Sequence, residues 1–234
     1  MAATLDLIFE AKKFLDTLPL ESVSIDQDLK HIAIEGGTIN LEVYTCEKIE
    51  KVVFVTIKIH ETGVTDETVI VWPSDTYNFP LFWCTLTVIP SVMNALILDF
   101  PPMMDFVVWP EYAEKYVHDL KDLKTKAFEI LSDTIVDKAL EVPSLSVYAF
   151  SPYKIVANIS DKGLLRLPQL FNEYVRTYSK LWQQAEQVSD DTRNFYLRKK
   201  AATRKLMKGN DPGYPIMVGI FGEEKTRKVF DLVF

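Results

Sequence analysis

Two aspartates and one run of cations stand where they could do chemistry. Asp99 interrupts the apolar run Leu96-Ile97-Leu98-Asp99-Phe100, just before Pro101-Pro102. A strand here puts Asp99 on one face with Ala95 and Ile97, and Leu96, Leu98 and Phe100 on the other. A carboxylate buried without a partner is costly, and its usual response is to keep a proton to higher pH. Such a group can give and take a proton near neutrality. The alternative is a strand-end aspartate turned to solvent. Asp211 lies in Asn210-Asp211-Pro212-Gly213 behind a helical stretch. By spacing alone this is ordinary turn chemistry. From Arg193 to Lys208 there are seven Lys/Arg (Arg193, Arg198, Lys199, Lys200, Arg204, Lys205, Lys208) and no Asp or Glu. On a chain of net charge −7 this patch would steer an acidic partner, and salt would weaken it. A solvated helix face is the other reading.

Several function classes lose support. The net charge and the lack of aromatics suited to stacking within the basic run speak against nucleic acid. Cys46 and Cys84 form no CxxC or zinc spacing, and Cys84 reads as a small core residue. His31, His60 and His118 form no metal-like cluster, so no metal site is expected. No GxGxxG or P-loop is present. No run approaches about 18 apolar residues, so no membrane span is expected. The N-terminus has neither the layout of a signal peptide nor an Arg/Ser-rich leader. A reduced, cytoplasmic protein is the simplest expectation, with residues 1–234 forming one domain.

Which elements would position these residues? Apolar spacing predicts a helix over 5–18, ended by Pro19. Alternation predicts a hairpin, His31–Glu35 and Thr38–Tyr44, across Gly36-Gly37. Further strands follow at Lys51–His60, Thr68–Trp72, Leu81–Val88 and Met93–Phe100, with Pro73–Asn78 as a loop. Consecutive strands with short turns imply an antiparallel meander. Next come a helix at Glu111–Leu131 and a strand over Ser146–Ile159, whose centre Pro152 demotes or marks as an edge. Helices at Leu167–Gln187 and Asp191–Lys208 and a short one from about Gly222 to Leu232 complete the chain. Helices before and after a meander suggest an α/β protein with helices on both faces of one antiparallel sheet.

The stretch from Val69 to Pro102 also carries a likeness. Trp72-Pro73-Ser74-Asp75-Thr76-Tyr77-Asn78-Phe79-Pro80-Leu81-Phe82 followed by Leu98-Asp99-Phe100-Pro101-Pro102 resembles the ferredoxin-dependent bilin reductases. The likeness continues through Phe150-Ser151-Pro152, Asn210-Asp211-Pro212-Gly213, Ile220-Phe221-Gly222-Glu223 and Val229-Phe230-Asp231-Leu232-Val233-Phe234. No one motif is strong, but the ordered set is fairly specific. The resemblance implies a three-layer α/β/α sandwich with a bilin pocket between the sheet and the C-terminal helices. It implies reduction of biliverdin IXα by single electrons from a 2Fe–2S ferredoxin, with no bound cofactor, in a monomer. Asp99 matches the family's sheet-side proton donor and Asp211 its helix-side one. Trp83, Ile97, Asn158, Lys154 and Asn210 are the implied substrate contacts. Arg198, Lys199, Lys200, Arg204 and Lys205 become the implied ferredoxin-docking residues.

The chain also departs from the family pattern. None of Leu81–Val88 is the histidine that the phycocyanobilin-forming branch pairs with its aspartate. Ser74 follows Trp72-Pro73 where a glutamate is frequent. Asn158 stands where an arginine usually anchors a propionate, which leaves Lys154, Arg166 or another cation for that task. The missing histidine favours phycoerythrobilin as product. The alternatives are a partial reductase giving 15,16-dihydrobiliverdin, phytochromobilin or phycocyanobilin, and a non-redox bilin carrier or lyase-like protein. The compact length and the absence of a transit-peptide pattern lean toward a cyanobacterium or its phage as source.

Overall fold

The computed structural model describes residues 7–15, 18–137 and 146–234. In chain order, α1 (Leu7–Leu15), β1 (Glu21–Ser22), α2 (Gln27–Lys30) and β2 (His31–Ile34) precede a meander. Its strands are β3 (Gly37–Cys46), β4 (Ile49–Ile59), β5 (Thr65–Pro73), the two-residue β6 (Tyr77–Asn78), β7 (Phe82–Ile89) and β8 (Met93–Asp99). Then come α3 (Pro110–Tyr116), α4 (Leu120–Leu131), β9 (Ile135–Asp137) and β10 (Ile155–Ile159). The chain closes with α5 (Asp161–Leu164), α6 (Leu167–Gln183), β11 (Glu186–Gln187), α7 (Asp190–Gly209), α8 (Gly213–Phe221) and α9 (Glu223–Val233).

Among the described residues, nine strands form one sheet in the order β1-β3-β4-β5-β7-β8-β10-β9, with β2 also on β3. The pairings are antiparallel. The central strands are apolar on both faces: Val52, Val53, Phe54 and Val55 of β4 are all buried. A sheet of this kind must be covered on both sides. One face carries Phe82, whose ring meets Phe171 and Tyr178 of α6 at 6.0 and 5.4 Å. Helix α1 packs against α6 and β5, and α4 against α6. The other face lies under α7, α8 and α9. There the Trp72 indole donates to the Val233 carbonyl at 2.9 Å, and Lys51 Nζ to the Leu232 carbonyl at 2.8 Å. A cation at a helix C-terminus meets the negative end of the helix dipole. Burial pulls the Lys51 ammonium down to about 8. The result is the expected three-layer arrangement.

Several boundaries differ from the sequence reading, each for a local reason. The helix expected over 111–131 is two helices. The N–H groups of Val117 and His118 both turn to the Ala113 carbonyl, at 2.9 Å each, and the chain restarts at Leu120. The strand expected from Ser146 begins only at Ile155, beyond Pro152, after a 3-10 turn at Ser146–Ala149. It is no edge, since β10 lies between β8 and β9. The loop Pro73–Asn78 contains β6, which pairs with β11, so α6 stops at Gln183 rather than Gln187. Strand β5 starts at Thr65, three residues earlier than its apolar run suggests. The short C-terminal helix is preceded by another, α8, and Gly222 at φ +83° makes the joint between them. That backbone region is open to glycine at little cost. Leu5, expected to start α1, lies outside the described residues. Among the described residues, no helix is long and apolar enough to cross a membrane.

Candidate active site

Between the sheet and α7–α9 lies a cavity of 420 Å³. Ile57, Ile70, Ile97 and Val156 are among its floor residues, and Met217, Val229 and Phe230 among those of its roof. Thr68, Thr85, Thr87 and Asn210 add polar atoms, and Asp66 and Asp211 are the titratable residues in its lining. A mostly apolar cavity of this size with a few polar groups suits a flat, largely apolar ligand.

Asp99 ends β8 and is 1% exposed, so the solvent-facing alternative fails. It shares the cavity-facing side of the strand with Ala95 and Ile97, which line the cavity. Asp99 itself does not line it. Its cross-strand neighbour is Trp83. The Trp83 ring stacks on Phe150 at 5.2 Å and 11°, and both rings line the cavity beside it. The residue after Phe150 holds the carboxylate: the Ser151 N–H donates to Oδ2 at 2.8 Å and the Ser151 hydroxyl to Oδ1 at 2.5 Å. Burial dominates, and despite these bonds and the nearby Lys154 charge the carboxyl is pushed up to about 7. The Phe150-Ser151 motif is therefore the cradle of Asp99.

Asp211 lies in the α7–α8 connection and lines the cavity from the helix side. Its Oδ1 accepts the Gly213 N–H at 2.7 Å, the turn bond that its neighbours suggest. Burial, with the Asp66 charge adding to it, raises its carboxyl to about 6. What exposure it keeps is consistent with its place on the cavity wall. The two expected acids thus lie on opposite layers, one in the cavity lining and one at its end.

The other expected contacts divide. Trp83, Ile97 and Asn210 line the cavity. The Trp83 indole donates to Thr85 Oγ1 at 2.8 Å, and Asn210 Nδ2 to the Leu206 carbonyl at 2.8 Å. Lys154 lies outside the lining but holds Nζ 5.0 Å from the Phe150 ring centroid. Asn158 is not a cavity residue either: its Oδ1 accepts the Asn94 N–H at 3.1 Å. Arg166 is tied elsewhere, with Nη1 2.8 Å from the Ile130 carbonyl and 2.9 Å from Asp133. Cys84 is buried in the core, and burial pushes its thiol well up. A docking role for Lys200 is corrected. It is 2% exposed, and its Nζ contacts the Pro73 carbonyl, Asp75 and Glu50, each at 2.6 Å. Arg204 is half-buried, pairs with Glu50 and lies 4.7 Å from the Trp72 ring centroid. Arg198 and Lys205 are exposed and Lys199 partly so.

Asp66 is the titratable cavity residue that sequence alone does not single out. A strand expected only from Thr68 leaves Asp66 outside it, whereas β5 starts at Thr65. Extending the alternation of Thr68 and Ile70 two residues back would have put it on their face. Its Oδ1 accepts the Thr68 hydroxyl at 3.0 Å and its Oδ2 the Thr87 hydroxyl at 2.5 Å. Among the described residues, no group of three His, Cys, Asp or Glu could hold a metal ion.

Comparison with known proteins adds a family. Residues 10–233 match the family model described as ferredoxin-dependent bilin reductase. No curated protein sequence matches the chain. Among solved structures, the fold is similar to phytochromobilin synthase from tomato in complex with biliverdin. The TM-score is 0.80 at 18% identity, over 96% of this chain and 79% of that one. At this identity the likeness is one of fold.

Proposed function

The chain belongs to the ferredoxin-dependent bilin reductase family, and on that premise we propose that it reduces biliverdin IXα to phycoerythrobilin. One observation carries this reading: a carboxyl raised to about 7 at the end of an apolar cavity, with a second acid on the opposite layer. Each two-electron reduction adds two protons to the pigment, while two ferredoxins each give up one electron. The resemblance assigns Asp211 to the 15,16-methine bridge and Asp99 to the A-ring diene. Burial keeps the proton on Asp99 until a pigment radical needs it. Once the proton has gone, the two Ser151 hydrogen bonds stabilise the carboxylate left behind. Each acid regains a proton from water before the next cycle. Trp83 and Phe150 offer ring faces against which a flat pigment can stack. Lys154, beside Phe150, is the cation we assign to a propionate.

The test is an anaerobic assay with biliverdin and reduced ferredoxin, read by chromatography of the products. The wild-type protein gives phycoerythrobilin. Asp99→Asn still binds biliverdin but stops at 15,16-dihydrobiliverdin, with the A-ring step slowed about 10²–10⁴-fold, the usual worth of a general acid. Full product from Asp99→Asn at an undiminished rate removes the residue from this role. A bilin carrier would shift the pigment's absorption band but never bleach it.

A further inference from the structure

The cavity holds a carboxyl that the two-acid scheme does not use. Asp66 lies four residues from Ile70 along β5, and Ile70 pairs with Trp83, the partner of Asp99. That puts it about 13 Å along the sheet from the level of Asp99 and two strands away. It is thus at the other end of the sheet wall, with Asp211 on the layer above. Its two oxygens take the hydroxyls of Thr68 and Thr87. Two donors favour the ionised form, because a hydroxyl bond to an anion is stronger than one to a neutral acid.

We propose that Asp66 is a third working carboxyl of the pocket, a positioning residue whose fixed negative charge keeps the proton on Asp211 until the pigment takes it. This deepens the reductase reading, since it takes Asp211 as an acid of that reaction. Two anions facing one apolar cavity cannot both be cheap, so one keeps its proton. The hydroxyl donors decide which: Asp66 has two, while Asp211 has the single Gly213 N–H.

Other charges do not compete. Among the described residues lining the cavity there is no Lys, Arg or His. The strand beside Asp66 on one side presents Ile57, and on the other Thr87. Glu67 and Lys58 belong to the opposite face by alternation, and Glu67 accepts the Leu7 N–H there. Over Asp211, α7 presents Met207, and α9 presents Val229, Phe230 and Val233. The exposed Asp231 of α9 is paired with Lys208 and Arg227. Burial raises both cavity carboxyls, and Asp66 is the neighbour whose charge raises Asp211 further.

The test needs no substrate. Carbon-13 NMR of labelled aspartate carboxyls, followed across pH, identifies the Asp211 signal by its loss in D211N. In D66N its midpoint should fall from about 6 toward the ordinary aspartate value of about 3.9. D66E should restore it. T87V, which keeps the carboxyl but removes one donor, should move the midpoint the same way by making Asp66 hold its own proton. An Asp211 midpoint unchanged in both D66N and T87V overturns the inference. In a second arm, the alkaline fall-off of biliverdin reduction should move to lower pH in D66N, with the pigment still bound. If the wild-type protein binds biliverdin and never reduces it, the reductase reading fails, and the NMR midpoint still decides the role of Asp66.

Discussion

At the scale of single residues, the Asp99 carboxyl makes a prediction that does not depend on catalysis. It is raised from 3.8 to about 7 in the folded protein, while the unfolded chain releases the proton near 3.9. Between those values the folded state binds more protons, so stability falls as pH rises through that window and stays lower above it. Asp99→Asn has no such titration. It should therefore gain on wild type as pH rises from about 4 to 8, by up to roughly 2–4 kcal/mol. Urea unfolding at several pH values measures this. A difference that does not change with pH would mean that Asp99 is not held protonated. In the proposed role for Asp99, the same value implies that the A-ring step slows above about pH 7. The apolar run around Asp99 already marked it out, because a charge among Leu96, Leu98 and Phe100 needs a reason. The need for Ser151 was less legible, since the partners are 52 residues apart and only the fold brings them together.

At the scale of elements, the strands of the meander are legible in their alternation, because one period decides which side is inward. Alternation and helical spacing stop being informative where tertiary contacts override them. Helix α8 is apolar nearly throughout and carries two glycines and Pro215, so helical periodicity does not reveal it. Its place over the cavity explains why a short helix can be so greasy. In α7, charge alone could not separate a docking cation from a structural one. Lys200 bonds to Glu50, Asp75 and the Pro73 carbonyl, which tie α7 to strand β4 and the end of strand β5. Lys200→Met should cost roughly 3 kcal/mol, because it leaves acids near the sheet without their cation. The expected result is a lower urea midpoint, with the ferredoxin salt dependence unchanged. A Trp72→Phe change, which removes the indole bond to Val233, should cost about 1 kcal/mol and loosen the end of α9 first. Hydrogen exchange at Phe230–Phe234 reads this directly.

At the scale of the molecule, a chain of net −7 keeps an exposed stripe of Arg198, Ala201, Ala202 and Lys205 on one helix. These positions share a face by their three- and four-residue spacing. We propose this stripe as the face that an acidic ferredoxin meets. Reversing both charges, R198E with K205E, should raise the ferredoxin KM by about tenfold at low salt and flatten its ionic-strength dependence. Biliverdin affinity should not change. An unaltered salt slope would move the docking face elsewhere.

The difference in enclosure between the two acids has a consequence for isotopes. Asp99 is 1% exposed and held by two bonds from Ser151, whereas Asp211 stands in the cavity lining itself. If Asp99 holds the proposed role, a pigment filling the cavity closes the sheet-side acid off from exchange, and it delivers the hydrogen it carried in. If the loaded protein is moved into heavy water at the moment electrons arrive, the first pigment made should be light at the carbon Asp99 serves. The carbon served by Asp211 should already be heavy.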